Sequence, residues 1–135
     1  MSDVTVETLQ EATVQMIAWC ICSALNQLTM KNIAHRDLKL ANVLITEDYK
    51  VKLADFGFSK QTELSMMTTF CGTPITMAPE IFDGKNYRKE NCDTWSLGVI
   101  VYQMLFGDAP WVPKENSGMQ GLSESIKEKE LRFNE

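Results

Sequence analysis

The residues best suited to chemistry lie in two short segments. One is the range 35–39, with the letters HRDLK, followed by Asn42; the other is Asp55-Phe56-Gly57, 13 residues beyond Asn42. A carboxylate can accept a proton, a lysine can neutralise an anion, and carboxylate and amide oxygens are hard ligands that suit Mg²⁺. Standing alone, each of these residues would more often be a solvated turn carboxylate or a loop cap. The motifs that surround them favour chemistry.

Three more motifs follow in order: Gly72-Thr73-Pro74, Ala78-Pro79-Glu80 and Asp93-x-Trp95-Ser96-x-Gly98. Together the five motifs resemble the signature set of the eukaryotic protein kinases, namely the catalytic loop, the D-F-G motif, the end of the activation segment and the D-x-W-x-x-G helix. One tripeptide is weak support, whereas five in order span nearly the whole chain. The lysine at position 39 and Thr73 resemble the Ser/Thr branch of the family.

The resemblance implies phosphoryl transfer from ATP, which depends on positioning and charge neutralisation more than on covalent chemistry. It implies that Asp37 orients the attacking hydroxyl, that Lys39 lies near the transferred phosphate and that Thr73 belongs to the same catalytic set. It also implies Mg²⁺ and ATP as cofactors. The residues expected to contact the nucleotide or its metal are Lys39, Asn42, Leu44 (under the adenine) and Asp55, with Asn42 and Asp55 as the metal ligands.

A possible regulatory site lies in the segment before Thr73. In the family, an activating phosphothreonine often occupies the position of Thr69, and Arg36 with Lys60 matches the basic pocket for its phosphate. The alternative is that Thr69 is an ordinary polar loop residue. His35 and Phe56 are expected to be packing residues, and Asp93 is expected to hydrogen-bond the backbone of the catalytic loop.

The elements that must position these residues are mainly helical. Thr8 and Glu11 suggest a capping box that opens a largely buried helix ending near Met30, with Met16, Cys20, Ala24 and Leu28 recurring beside Ile17, Ile21 and Leu25. Ranges 43–45 and 51–54 indicate a β-hairpin. A loop is expected from 55 to 79, a second apolar helix from 92 to 106, a polar loop from 108 to 121 and a charged amphipathic helix over 122–129. The fold class is therefore mainly α, a kinase-like large (C-terminal) lobe with a small β-hairpin, lacking the small lobe and the last helices of the large one.

Composition restricts the class of protein further. The 135 residues carry a net charge of -5, which argues against a nucleic-acid partner, and the longest apolar stretch is too short to cross a membrane. Cys20, Cys22, Cys71 and Cys92 match no common zinc spacing, so buried thiols in a reducing compartment are expected, and with them a cytoplasmic location.

Residues 1–135 are expected to form one partial protein kinase domain, from helix E through the activation segment to helix F and helix G. The expected partners are ATP and proteins that present serine or threonine, together with a separate small lobe or a regulatory partner. Thr76 stands where the family usually has tyrosine, so the resemblance does not give the peptide specificity. Two functions remain open: a Ser/Thr kinase seen as a fragment with little activity alone, or a non-catalytic lobe that acts as a binding or regulatory module.

Overall fold

The computed structural model describes residues 8–61, 66–67, 72–83, 87–113, 117–131 and 133. Most of the regular structure is helical, and the strands are short. In chain order the elements are α1 (Glu11–Met30), β1 (Ile33–Ala34), β2 (Val43–Ile45), β3 (Val51–Leu53), β4 (Lys60–Gln61), β5 (Met66–Met67), α2 (Pro79–Phe82), β6 (Tyr87–Arg88), α3 (Lys89–Phe106) and α4 (Gly118–Glu128), with 3₁₀ turns at Leu40–Asn42 and Pro74–Thr76. This agrees with a mainly α, kinase-like large lobe.

Helix α1 ends at Met30, as predicted, but begins differently. Its N-cap residue is Gln10, with no side-chain capping bond, so the predicted capping box from Thr8 is wrong. The prediction of a largely buried helix is also wrong, because Met16, Trp19 and Met30 expose 52%, 75% and 77% of their surface. The apolar residues of α1 extend around more of its circumference than the face of Val14, Ile17 and Ile21, which is the face that packs in the core.

The main core lies between α1 and α3. Ile21 of α1 and Ile100 of α3 are fully buried, and Leu38 from the loop after β1 is buried beside them. Val51 and Leu53 of β3 pack on the same cluster, so the hairpin is attached to the helices by apolar contact. Burial of such side chains stabilises the fold by about 1.5–3 kcal/mol each. Because Leu38 is next to Asp37, its burial fixes the loop that carries Asp37 to this core.

Within the described residues, three two-stranded antiparallel ladders are present where a single hairpin was predicted. The predicted pair, β2 with β3, is confirmed, with Leu44 opposite Lys52. In addition β1 pairs with β4, placing Ala34 opposite Lys60, and β5 pairs with β6, placing Met67 opposite Tyr87. The predicted loop from 55 to 79 therefore contains two strands and a 3₁₀ turn. Each new strand has two residues, too few to show an alternating pattern.

The remaining helices and cysteines need smaller corrections. Helix α3 begins at Lys89, and α4 begins at Gly118, so the loop predicted up to residue 121 is shorter. Cys92 is buried and Cys20 half-buried, as expected of structural thiols, but Cys22 is exposed, and Cys71 lies outside the described residues. In the part of the chain that the structure describes, no helix is long and apolar enough to cross a bilayer.

Candidate active site

Asp93, near the start of α3, fixes the loop between β1 and the first 3₁₀ turn. Its Oδ2 accepts the N–H of His35 at 2.8 Å and its Oδ1 accepts the N–H of Arg36 at 2.9 Å. Arg36 has a φ of 71°, a left-handed conformation that is uncommon for a residue other than glycine. Burial raises the pKa of the Asp93 carboxyl, although these two backbone hydrogen bonds act in the opposite direction. The predicted bonds from Asp93 to this loop are confirmed.

His35 connects that loop to the end of β3. Its side chain is fully buried, its Nδ1 accepts the N–H of Asp37 at 3.3 Å, and its Nε2 lies 3.0 Å from the carbonyl oxygen of Ala54. A neutral imidazole that accepts at Nδ1 donates from Nε2. The ring of Phe56 contacts it in a tilted arrangement, with 4.9 Å between the ring centroids and 54° between the planes, and Phe56 is 46% exposed. His35 therefore fixes the position of Asp37 relative to Asp55, beyond its predicted packing role.

Gly72 allows the segment that carries Thr73 to approach the catalytic loop. It has a φ of 110°, and a Cβ placed there would lie 2.6 Å from the carbonyl oxygen of Arg36. Any side chain would therefore displace one of the two segments. Only glycine meets both requirements, the positive φ and the close backbone contact.

Asp37, Lys39 and Thr73 form a triangle of polar contacts. The hydroxyl of Thr73 donates to Oδ1 of Asp37 at 2.6 Å, and Nζ of Lys39 lies 3.0 Å from Oδ2 of Asp37. Nζ of Lys39 also donates to the hydroxyl oxygen of Thr73 at 3.1 Å. Asp37 is buried, with 3% of its side chain exposed, whereas Lys39 is 31% exposed. The structure thus brings together the three residues that the sequence assigns to catalysis.

The surroundings of Asp37 keep its carboxyl ionised. Burial raises the pKa of Asp37, but the hydrogen bonds from Thr73 and Lys39, with the charge of Lys39, outweigh burial and lower this pKa below 3.8. At neutral pH the group is therefore a carboxylate that can accept a proton or orient a hydroxyl group. The lysine beside it supplies positive charge at the same point.

Asn42, one of the two predicted metal ligands, is bonded to Asp37, and Asp55, the other, follows a residue that is bonded to Asn42. The side-chain amide of Asn42 donates to the carbonyl oxygen of Asp37 at 2.8 Å, which leaves the Asn42 amide oxygen as an acceptor. The N–H of Ala54 donates to the carbonyl oxygen of Asn42 at 2.9 Å, so Asp55 follows directly after a residue bound to Asn42. Asp55 is exposed, with a φ of 59°. Leu44, which was expected to lie beneath the adenine ring, is on strand β2, and 49% of its surface is exposed.

The predicted regulatory residues are described only in part. Arg36 is half-buried, and the backbone of Lys60 pairs with Ala34, two residues before Arg36. The side chain of Lys60 and the whole of Thr69 lie outside the described structure. The basic pocket and its phosphothreonine therefore stay a prediction.

Two polar residues near the site received no role from the sequence. Ser96 of α3 donates to the carbonyl oxygen of Thr76 at 2.7 Å, and the hydroxyl of Thr76 donates to the carbonyl oxygen of Thr73 at 3.2 Å. Both side chains are buried, at 7% and 2% exposure. A signal in the sequence is the place of Ser96 in the motif that begins at Asp93, three residues earlier, which puts both on one side of a helix.

Comparison with known proteins decides the family. A family model of the protein kinase domain matches residues 2–134. The chain belongs to the protein kinase family. The five motifs, the mainly helical fold and the triangle around Asp37 therefore belong to a protein kinase domain.

The chain is similar to several Ser/Thr kinases. It is 43% identical over 106 residues to the serine/threonine-protein kinase ppk16 of Schizosaccharomyces pombe, which covers 76% of this chain. It is 38% identical over 136 residues to the mouse serine/threonine-protein kinase 33, and 45% identical over 124 residues to protein kinase C-like 1 of Caenorhabditis elegans, covering 91% and 90% of this chain. The chain spans 16%, 27% and 17% of the lengths of these three relatives. Two of these relatives are named serine/threonine-protein kinases, the branch that Lys39 and Thr73 resemble.

Proposed function

We propose that the protein is an ATP-dependent protein kinase that transfers a phosphoryl group from Mg-ATP to serine or threonine of other proteins. The observation that carries the proposal is the triangle of Asp37, Lys39 and Thr73. It places a buried, ionised carboxylate next to a cation, with both bound to one hydroxyl group. Phosphoryl transfer needs this combination of an orienting carboxylate and fixed positive charge.

In this reaction Asp37 orients the hydroxyl of the substrate and accepts its proton, while Lys39 neutralises charge on the transferred group. Thr73 holds the Asp37 carboxylate in one orientation, because it bonds Oδ1 while Lys39 pairs with Oδ2. The carboxylate therefore does not rotate freely, and positioning of this kind lowers an activation barrier. Because the same Thr73 hydroxyl accepts from Lys39, one substitution at residue 73 disturbs both groups.

The donor set near Asp37 fits a magnesium nucleotide. Asn42 offers an amide oxygen and Asp55 an exposed carboxylate, and oxygen ligands of these two kinds suit Mg²⁺, which takes its other ligands from water and phosphate. Mg²⁺, when bound, would neutralise charge on the phosphates. The exposed side chain of Leu44 offers an apolar surface for the adenine ring. The ATP contacts of Lys39, Asn42, Leu44 and Asp55 are part of this proposal.

For residues 1–135 acting alone we expect little transfer. Within the described residues, the surface that carries Leu44, Asp55 and Phe56 is open to solvent, with Leu44 49% and Phe56 46% exposed. An open site admits water and does not hold the triphosphate in line with its acceptor. The experiment therefore has to supply the rest of a kinase.

The proposal is tested in a chimera. The part of this chain that aligns with protein kinase C-like 1 of Caenorhabditis elegans, at 45% identity over 124 residues, replaces the matching segment of that protein. The chimera is expected to phosphorylate a generic serine peptide, and Asp37→Asn is expected to reduce the rate by about 100-fold or more. Asp48→Asn is the matched control, since Asp48 is an exposed aspartate paired with Lys50 on the hairpin.

The outcome separates the two functions that the sequence leaves open. A folded chimera that binds Mg-ATP yet transfers no faster than its Asp37→Asn form would overturn the kinase proposal. That result would favour the non-catalytic module. Thermal unfolding of each chimera shows whether it is folded before its activity is compared.

A further inference from the structure

The hydroxyl of Ser96 joins helix α3 to the 3₁₀ turn that follows Thr73, and it has no part in the proposed chemistry. It lies 2.7 Å from the carbonyl oxygen of Thr76 and 2.9 Å from that of Cys92. A serine hydroxyl has one hydrogen to donate, and the carbonyl four residues earlier already accepts the backbone N–H of a helical residue. The hydrogen of Ser96 therefore goes to Thr76, the nearer of the two acceptors.

A series of hydrogen bonds continues from Thr76 to the reaction centre. The N–H and the hydroxyl of Thr76 both donate to the carbonyl oxygen of Thr73, at 3.1 and 3.2 Å. The hydroxyl of Thr73 then donates to Asp37. The members of this series (Ser96, Thr76, Thr73 and Asp37) come from three segments of the chain. Ser96, Thr76 and Asp37 are each less than 10% exposed.

The turn that follows Thr73 is short. It is a single 3₁₀ turn of three residues, Pro74–Thr76, and such turns have weaker hydrogen-bond geometry than α-helices. Pro74 lacks an N–H group, which removes one donor from the turn. Contacts from outside the turn, such as the bond from Ser96, therefore help to set where the Thr73 hydroxyl lies.

Helix α3 also holds the opposite side of the reaction centre. Asp93 is three residues before Ser96, on the same side of the helix, and it binds the backbone of the loop that carries Asp37. We propose that Ser96 is a positioning residue of the active site: together with Asp93 it sets the separation of the Thr73 hydroxyl and the Asp37 carboxylate. The catalytic meaning of this proposal rests on the proposed function.

The test is the NMR chemical shift of the Asp37 carboxyl carbon in the 135-residue chain at neutral pH. This shift depends on the hydrogen bonds that the carboxylate accepts, so loss of the Thr73 hydroxyl in Thr73→Ala is expected to move it. Ser96→Ala is expected to move it in the same direction by a smaller amount. In the double variant the chemical shift is expected to equal that of Thr73→Ala alone, because Ser96 acts only through Thr73.

Ser125→Ala is the matched control. Ser125 is also a buried helical serine, 1% exposed, whose hydroxyl donates to a loop carbonyl, that of Val112 at 3.1 Å. Its removal is expected to lower stability to a similar degree while leaving the chemical shift of the Asp37 carboxyl carbon unchanged. Ser96→Cys, with a similar volume and a weak donor, provides a second variant should Ser96→Ala not fold.

Two outcomes would contradict the role of Ser96. One is a folded Ser96→Ala or Ser96→Cys chain in which the Asp37 carboxyl carbon has the same chemical shift as in the unmodified chain. The other is a further change of this chemical shift when Ser96→Ala is added to Thr73→Ala, since the effect would then bypass Thr73. Neither measurement needs phosphate transfer, so an inactive chimera would refute the kinase proposal and leave the role of Ser96 in positioning Thr73 to be decided by the chemical shift.

Discussion

The hydroxyl of Thr73 donates to Oδ1 of Asp37 at 2.6 Å, across 36 residues of sequence. The bond stabilises the ionised form of Asp37, so this residue binds fewer protons in the folded chain than in the unfolded one between its lowered pKa and 3.8. Its contribution to stability is therefore present above 3.8 and is lost as pH falls through the lowered pKa.

Thr73→Val is expected to reduce this acid-sensitive part of the stability. Valine keeps the shape of threonine without the hydroxyl. The pKa of Asp37 in the folded chain therefore rises towards its value of 3.8 in the unfolded chain. Urea unfolding midpoints at about pH 5 and in stronger acid should differ less in the variant than in the unmodified chain. Thr73→Ser is the control, because serine keeps the hydroxyl that donates to Asp37. An equal pH dependence in Thr73→Val and in the unmodified chain would refute the prediction.

Asp93→Asn is expected to destabilise the chain by about 1–3 kcal/mol. The carboxylate accepts two backbone N–H groups, whereas an asparagine side chain has a single acceptor oxygen, so one of the two amides loses its partner. Urea unfolding measures the loss, and hydrogen exchange should show faster exchange at His35 or Arg36. Asp83→Asn, which weakens an exposed pair with Lys127, should cost at most about 1 kcal/mol. Equal losses in the free energy of unfolding of the two variants would contradict the role of Asp93 in holding the loop.

Ile21→Ala is expected to lower the free energy of unfolding by about 2–5 kcal/mol, because it opens a cavity between α1 and α3. Met30→Ala, on the same helix but 77% exposed, should change it by less than about 0.5 kcal/mol. The comparison tests which side of α1 packs. Comparable losses would mean that the exposed side of α1 is covered in solution.

Mn²⁺, as a paramagnetic substitute for Mg²⁺, is expected to broaden the NMR signals of Asn42 and Asp55 before others. Asp55→Asn should abolish this selective broadening, because it removes the charged ligand of the proposed pair. Asp108→Asn is the control, since Asp108 is an exposed aspartate in the loop after α3. Broadening that survives Asp55→Asn would place the metal elsewhere.

The sequence was sufficient for the parts of the molecule that short patterns determine. The motifs around Asp37 and Asp55 predicted the site, because their residue types follow from the chemistry. The hairpin of β2 and β3 was predictable because both strands are local and joined by a polar turn. The end of α1 was also correct, since the apolar pattern stops at Met30.

The parts that depend on distant contacts were not predictable in this way. Ladders of two residues, such as β1 with β4, have no periodic pattern, and their pairing is decided by the packing of the segments that carry them. On α1 the apolar residues form two adjacent rows, and the sequence alone does not show that the row with Ile17 and Ile21 packs while Met16 faces solvent. The bond from Ser96 to Thr76 could not be predicted from the sequence, because it joins two residues that are 20 positions apart.

Asp93 and Ser96 are separated by about 4.5 Å along the axis of α3, less than one helical turn. A displacement or rotation of the whole helix carries both side chains by nearly the same amount, and with them the two segments that they bind. The distance between Asp37 and Thr73 is therefore insensitive to rigid-body movement of α3 within the core. A distortion of the helix between residues 93 and 96 would instead change the separation of the two segments, and with it the contact between the carboxylate and the hydroxyl.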